Sequence, residues 1–505
     1  MTADPQLDTL EAKGLIRLAS VDPELEYLFR HWLVQDAAYG SLLRQERREL
    51  HRLVGETLEA LYGERRGELA AVLALHFEQA GDGPRAREHL MVAAEHALAR
   101  HAIREARAFY ERAEAQLPPP ARDEDAALRR LRVVIAVGKI KSGWTFKPLD
   151  RELETLAAVV PIAEELGDLK LLGELYMHDA LLRQFSGGSV ATNKELQHSL
   201  RRIREIGDQL GDPSMQAMPS ALLGTFQVFT GHLQEAVDAL ESAAPLLEER
   251  AEFVGAAFAR GALAVGYARL GEFEKADKAA AESIELAASA DPIAQLDALI
   301  TQAFVRSAQG RLDDTVPLAR ICVEKAEETG GTACLIVSNY ILGDAYLRQG
   351  LIEEAKRVLE RSSEITVVTM RDFWRPSVQA SISQAAALLG DFGAAEKGWE
   401  EALHDARKAG HRFAEATILQ KRAEAEAEHG EAAAAWTDFA ASATLFEEMG
   451  ARPYLARVLR SWGDALARAG EPGADEKLAR ARSLFEEIGL VEEAQAVGAR
   501  TGISS

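Results

Sequence analysis

The sequence is poor in most of what builds a covalent framework or a conventional active site. Its two cysteines, Cys322 and Cys334, stand twelve positions apart with no second pair beside them. A disulfide scaffold and a four-ligand structural zinc site are thereby excluded, and a reducing compartment is expected. No stretch reaches eighteen uncharged apolar residues, and Met1-Thr-Ala-Asp-Pro5 lacks a basic segment followed by an apolar one. The expectation is a cytoplasmic protein. A basic surplus is missing too: 80 acidic against 58 basic residues give a net charge of -22. That surface repels nucleic-acid phosphate and anionic lipid. Aromatic residues make up only 6%. What is abundant is helix-forming material: 47% of the residues are hydrophobic, and long Ala, Leu, Glu and Arg segments exclude disorder throughout.

Glycine, though not abundant, is placed with a period. Gly231, Gly271, Gly310, Gly350, Gly390, Gly430 and Gly470 are spaced 40, 39, 40, 40, 40 and 40 residues apart. A small residue follows five positions later in Gly231-His-Leu-Gln-Glu-Ala236, Gly271-Glu-Phe-Glu-Lys-Ala276 and Gly350-Leu-Ile-Glu-Glu-Ala355. Each glycine lies between two helical patterns and suits a backbone with positive φ, where a Cβ would clash. A second set of breaks, near Gly211-Asp-Pro, Asp291-Pro, Gly330-Gly331, Gly410, Gly450 and Gly489, separates one unit from the next. Every unit therefore reads helix, turn, helix, turn. One hairpin cannot bury its apolar stripes alone, whereas stacked hairpins share a continuous core. The predicted fold is all-α: a right-handed superhelical solenoid with units of about forty residues, its concave face formed by the first helix of each pair.

These units resemble tetratricopeptide repeats, through Leu342-Gly343-Asp-Ala-Tyr346 with Ala355 and Leu359, through Leu223-Gly224 with Ala236, Leu240 and Ala243, and through Leu263, Tyr267 and Ala276. The resemblance spans residues 68–117 and 200–490. With about six residues more than the usual unit, it looks like the longer-helix variant of bacterial signalling proteins. The N-terminal stretch predicts a short helix over 7–16 turning through Gly14, then a two-stranded wing from Leu15–Ala19 and Glu26–Arg30. Tyr27-Leu-Phe29-Arg-His31, Val34-Gln-Asp-Ala-Ala-Tyr39, Arg48 and Leu50-His51 resemble the end of a winged-helix subdomain in multidomain signal-transduction ATPases, including cyclase-associated and transcription-regulator relatives. That resemblance implies a sensor or scaffold beside an NTPase core; both an excised C-terminal region and a stand-alone relative fit it. Phe29, Trp32 and Tyr39 are expected to fasten this segment to the first repeat helix. The resulting divisions are a winged-helix-like segment over 1–50, helical repeats over 51–120, an irregular repeat region over 121–210, a regular solenoid over 211–498 and a flexible tail over 499–505.

Chemistry is hard to place. There is no Gly-x-x-x-x-Gly-Lys-Ser/Thr loop, no His-Glu-x-x-His pair and no acid-histidine relay near Ser186-Gly-Gly-Ser189. The expected protein is not an enzyme, and neither cofactor nor metal is implied; a cryptic hydrolase or transferase is the outlying alternative. The concave face is where function is sought. The repeat register places Tyr340, Asp344 and Arg348 on successive turns of one first helix, with Gln227, Phe229, Arg269, Phe304 and Gln384 on its neighbours. Aromatic area, amide and carboxylate groups and arginine together suit a protein or peptide segment, with an NTPase or output domain as a further partner. A regulatory small molecule is the alternative, at the irregular residues Trp144, Phe146, Arg371, Phe373, Trp374 and Arg375. The oligomeric state is left open.

Overall fold

The computed structural model describes residues 5–501 apart from 21–25, 62–65, 101, 122, 143–149, 187–192, 250–252, 289, 291 and 367–370. The chain forms two compact units, Met1–Ser142 and Gly143–Ser505. The division falls within the stretch where the sequence predicts irregular repeats.

In the first unit, α1 (Pro5–Ala12) turns through Gly14, at φ +70, into β1 (Ile16–Ser20). This strand pairs antiparallel with β2 (Glu26–Phe29), Ile16 facing Phe29 and Leu18 facing Tyr27. Then follow α2 (Trp32–Ser41), α3 (Arg44–Leu61), α4 (Arg66–Ala80), α5 (Gly83–Ala99), α6 (Ile103–Ala115) and α7 (Ala126–Lys141). Pro118-Pro-Pro120 separates α6 from α7, because proline can neither donate to a helix nor continue one. From α3 onward each helix packs on the next, around Phe77, Leu90, Tyr110 and Ile135. The N-terminal expectation is met only in part. Tyr39 Oη lies 3.0 Å from His51 Nε2, and His51 Nδ1 lies 2.9 Å from His76 Nδ1, which links α2, α3 and α4. Phe29 and Trp32 do not fasten the segment: both are exposed, since neither β2 nor α2 buries any of its residues.

The second unit opens with α8 (Asp150–Leu166) and α9 (Leu169–Ser186), followed by α10 (Lys194–Leu210), α11 (Pro213–Thr230) and α12 (Leu233–Glu249). It continues through α13 (Phe253–Leu270), α14 (Phe273–Ala287), α15 (Pro292–Ala308), α16 (Leu312–Thr329), α17 (Thr332–Gln349) and α18 (Ile352–Thr366). Last come α19 (Arg371–Leu388), α20 (Phe392–Ala409), α21 (Arg412–His429), α22 (Ala432–Glu448), α23 (Arg452–Ala469), α24 (Ala474–Glu487) and α25 (Val491–Thr501). This is the all-α solenoid of tetratricopeptide-like pairs that the period predicts. All seven periodic glycines have positive φ, between +70 and +102. The odd-numbered helices from α9 to α23 are the first members of the pairs and pack side by side as an inner layer.

Two features come from packing rather than from turns. Within the pairs, a glycine on the first helix lets a leucine of the second close in: an added Cβ would lie 2.8 Å from Leu240 at Gly224, 2.5 Å from Leu359 at Gly343 and 2.7 Å from Leu478 at Gly463. Across the superhelix, the inner layer returns on itself after five pairs, so that α9 meets α19, α11 meets α21 and α13 meets α23. Gly231 and Gly271 sit at this seam. A Cβ on the first would lie 2.4 Å from Met449 Sδ, and one on the second 2.9 Å from Ile488.

Gly343→Ala is expected to lose about 1–3 kcal/mol through overpacking against Leu359. Gly350→Ala, at φ +78 with nothing close to its Cβ position, should lose only about 1 kcal/mol of backbone strain. Denaturant melts check both, and Leu359→Ala combined with Gly343→Ala should cost less than the two changes added together.

Candidate functional site

The inner face of the second unit is organised around a buried arginine. Arg269, in the last turn of α13, is 5% exposed. Its Nη1 donates to the Val228 carbonyl of α11 at 2.7 Å. Its guanidinium carbon stands 3.7 Å from the ring centre of Phe413 on α21, and 5.2 Å from those of Phe229 on α11 and Phe304 on α15. One cation thus joins four first helices, α21 among them from across the seam. Nε is buried without a hydrogen-bond partner, and no carboxylate pairs with the group among the described residues. Burial pulls the guanidinium pKa below its ordinary value, opposed by Tyr454 and Tyr340. Taking a charge out of water is costly, and the negative faces of three rings offset part of that cost.

Around this cage the scarce aromatic residues gather. Phe229 stacks edge-on against Phe373 and Trp374, both at 5.6 Å, and Tyr340 meets Trp374 at 5.7 Å. Trp374 is buried against Ile336, while Phe373 contacts Phe226 and His411. Arg375 turns away to α20, donating to Asp405 at 2.8 Å with Glu401 at 3.8 Å. Arg371 begins α19, with its side chain outside the described residues, as are Trp144 and Phe146.

A polar ladder runs beside the cage. Lys421 Nζ donates to Asp344 Oδ1 at 2.9 Å and to Gln384 Oε1 at 2.6 Å, tying α17, α19 and α21 together. Burial would raise the Asp344 carboxyl, but Lys421 and Arg348 outweigh it and hold the pKa below the usual carboxylate value. Arg348 Nη1 donates to the Ser307 carbonyl at 2.9 Å, and Arg457 Nη2 donates to the next carbonyl, Ala308, at 2.7 Å. Two guanidinium groups therefore converge on the C-terminal end of α15, where the helix dipole favours cations. Arg457 also pairs with Glu493 at 2.7 Å. Arg348 keeps an exposed side chain although protein surrounds it; desolvation and the facing Arg457 lower its pKa, with Asp344 and Glu493 opposing.

Seven of the eight inner-face candidates thus line one surface. Gln227 stands apart, 3.4 Å from Glu235 within its own hairpin. Phe413, Lys421, Tyr454 and Arg457 belong to the same face and escaped sequence reasoning. Lys421 had a signal: it precedes by one turn position 424, the register equivalent of Asp344 and Gln384. The others are reached only when the superhelix closes. A recess of about 220 Å³ is lined by Gln384, Phe392, Lys421, Glu424 and His429, and one of about 410 Å³ by Glu400, His404, Arg407, Lys408 and Arg422. Among the described residues no three His, Cys, Asp or Glu side chains cluster as metal ligands, and no helix is long and apolar enough to cross a membrane.

No known protein-family profile matches the chain. An uncharacterized protein of Rhizobium meliloti (strain 1021) is 30% identical over 136 residues, which are 27% of this chain and 13% of that protein. The match thus spans about an eighth of that relative's length. Among solved structures, the Rap protein complexed with competence and sporulation factor is similar over 71% of this chain and 98% of its own, at 12% identity and a TM-score of 0.49. NprR in complex with its cognate peptide NprX is similar over 68% and 99%, at 13% identity and a TM-score of 0.47.

His411 gives this face a pH dependence. Buried against Phe226 and Phe373, its pKa falls from 6.5 to about 4 through loss of hydration. Between these values the unfolded chain binds more protons, so stability present above pH 6.5 is lost as pH falls toward 4. His411→Phe should reduce the acid sensitivity of the second unit by up to roughly 3 kcal/mol. Denaturant midpoints at pH 7.5 and 4.5 measure this; an unchanged difference between them would count against it.

Proposed function

We propose that the chain is a non-enzymatic sensor or scaffold of bacterial signalling or transcription regulation, and that the inner face of the second unit takes up an acidic peptide or protein segment. One observation carries the reading. A chain of net charge -22 turns Arg269, Arg348, Lys421 and Arg457 inward against Asp344 and Glu493, and its most buried cation has no carboxylate partner among the described residues. Proteins do not ordinarily bury unpaired charge. A carboxylate-bearing segment would supply the charge that Arg269 lacks and the direct carboxylate hydrogen bond that Arg348 does not make, and the rings of Tyr340, Phe304 and Phe229 would flank its apolar parts.

The link to an NTPase or output domain rests on the winged-helix resemblance of the N-terminal segment, Tyr27–His31 and Val34–Tyr39. In this reading, occupancy of the inner face alters the superhelical closure and is relayed to that partner. The cytoplasm is the compartment this role requires.

The test is binding of a fluorescently labelled hexaglutamate to the full chain. The acidic surface repels such a probe, so association has to come from a locally cationic site. Arg348→Ala should weaken binding by about 1.5–3 kcal/mol while changing folding stability by about 0–1 kcal/mol. Arg361→Ala, on the outer helix α18 and paired with Glu327, should leave binding unchanged. Unaltered affinity in Arg348→Ala would remove this residue from the site. Equal losses of affinity and stability would make it a structural support.

A further inference from the structure

The first unit ends its helical stack on an apolar face. Repeat arrays close with terminal helices whose outer side is polar, because an open end exposes the core stripe that the next repeat would cover. The C-terminal end of the second unit follows this rule: α25 buries Ala494 and Val497 and leaves Glu492 and Gln495 to solvent. α3 does not. One side of it carries Gly55 against the Phe77 ring of α4. A second stripe, Leu50, Leu53, Val54 and Leu61 with Leu43 just before the helix, recurs at i, i+3, i+4 and i+11 and is 47, 60, 40, 62 and 69% exposed. This spacing builds one continuous strip along a helix.

We propose that this strip is the seat of a second copy of the chain, α3 against α3 about a two-fold axis near Leu53 and Val54. Three observations favour this occupant. The first is symmetry: the strip is centred on the middle of α3, so an antiparallel copy lays the same residues over it, as an isologous contact requires. The second is extent: Leu43, Leu50, Leu53, Val54 and Leu61, each 40% or more exposed, leave an apolar strip uncovered along the whole length of α3, as an interaction site does. The third is charge. Residues 1–142 hold 23 acidic and 21 basic side chains, a balance of -2, whereas residues 143–505 hold 57 and 37, a balance of -20. Two copies meet with least repulsion through the first unit. This inference is independent of what the inner face of the second unit binds.

Sedimentation or light scattering of the full chain over about 1–100 μM decides it. The expected result is a concentration-dependent doubling of mass that Leu50→Glu abolishes without shifting the melting temperature, since Leu50 is half-exposed. The native thiols of Cys322 and Cys334 are buried. Val54→Cys should therefore crosslink into a covalent dimer on mild oxidation, and Arg52→Cys, on the opposite side of α3, should not. A wild type that stays monomeric at every concentration overturns the proposal and assigns the strip to a different polypeptide. A dimer that persists in Leu50→Glu, with no crosslink through position 54, overturns it as well by placing the contact elsewhere.

Discussion

Closure of the second unit on itself is the constraint from which its other properties follow. A superhelix of helix pairs has no reason of its own to stop at an open groove. Here five pairs bring first helices into contact across the turn, and the contact is made through arginine. Arg269 reaches the end of α11 and the Phe413 ring, Arg452 donates to the Leu270 carbonyl at 2.9 Å, and Arg457 donates to Ala308. Each takes up a carbonyl in the last turn of an inner helix, where the chain has run out of intrahelical donors. The same groups that hold the turn closed also make the inside cationic.

That dual role explains the arrangement of the polar residues. A closed inner layer lined with leucine would hold together more simply, yet the layer carries a lysine, arginines and carboxylates in partial balance. Lys421 is satisfied by Asp344 and Gln384, and Arg457 by Glu493. Arg269 is left with a carbonyl and rings, and Arg348 donates to Ser307 with Asp344 and Glu493 near but not paired with it. The imbalance sits at one position of the repeat register, two residues before the periodic glycine, on α13 and α17, and Arg348 keeps access to solvent. Regions of incomplete satisfaction are where a binding partner gains most, because its charge replaces an interaction the fold does not supply.

Much of the fold was legible in the sequence because it is local. The forty-residue glycine period became left-handed turns, and Leu223-Gly224 and Leu342-Gly343 became close helix contacts, since the repeat encodes both within one hairpin. The wing was legible for the same reason: β1 is shifted by one residue from expectation, and β2 ends one residue early. The site was legible only as a face. Repeat register put Phe229, Arg269, Phe304 and Tyr340 on the inner layer, but not Phe413 or Arg457 beside them, because those contacts bridge more than a hundred residues and depend on superhelical pitch. Pitch arises from small rotations summed over several pairs, which no single motif records. The exposed strip of α3 escaped for a different reason: an amphipathic pattern reports that a stripe exists and not whether anything covers it.

The most direct measurement of the closed turn is a nitroxide pair at His232 and Glu448, exposed positions beside the Gly231 seam on opposite sides of the superhelical turn. Glu448 pairs with Arg412, whose Cβ lies 3.3 Å from the position of a Cβ built on Gly231. Closure predicts close-range dipolar broadening in the doubly labelled chain that is absent from either single label, and its weakening in Arg269→Met. Spectra identical to the sum of the two single labels would mean that the inner layer stays open, and would contradict the account.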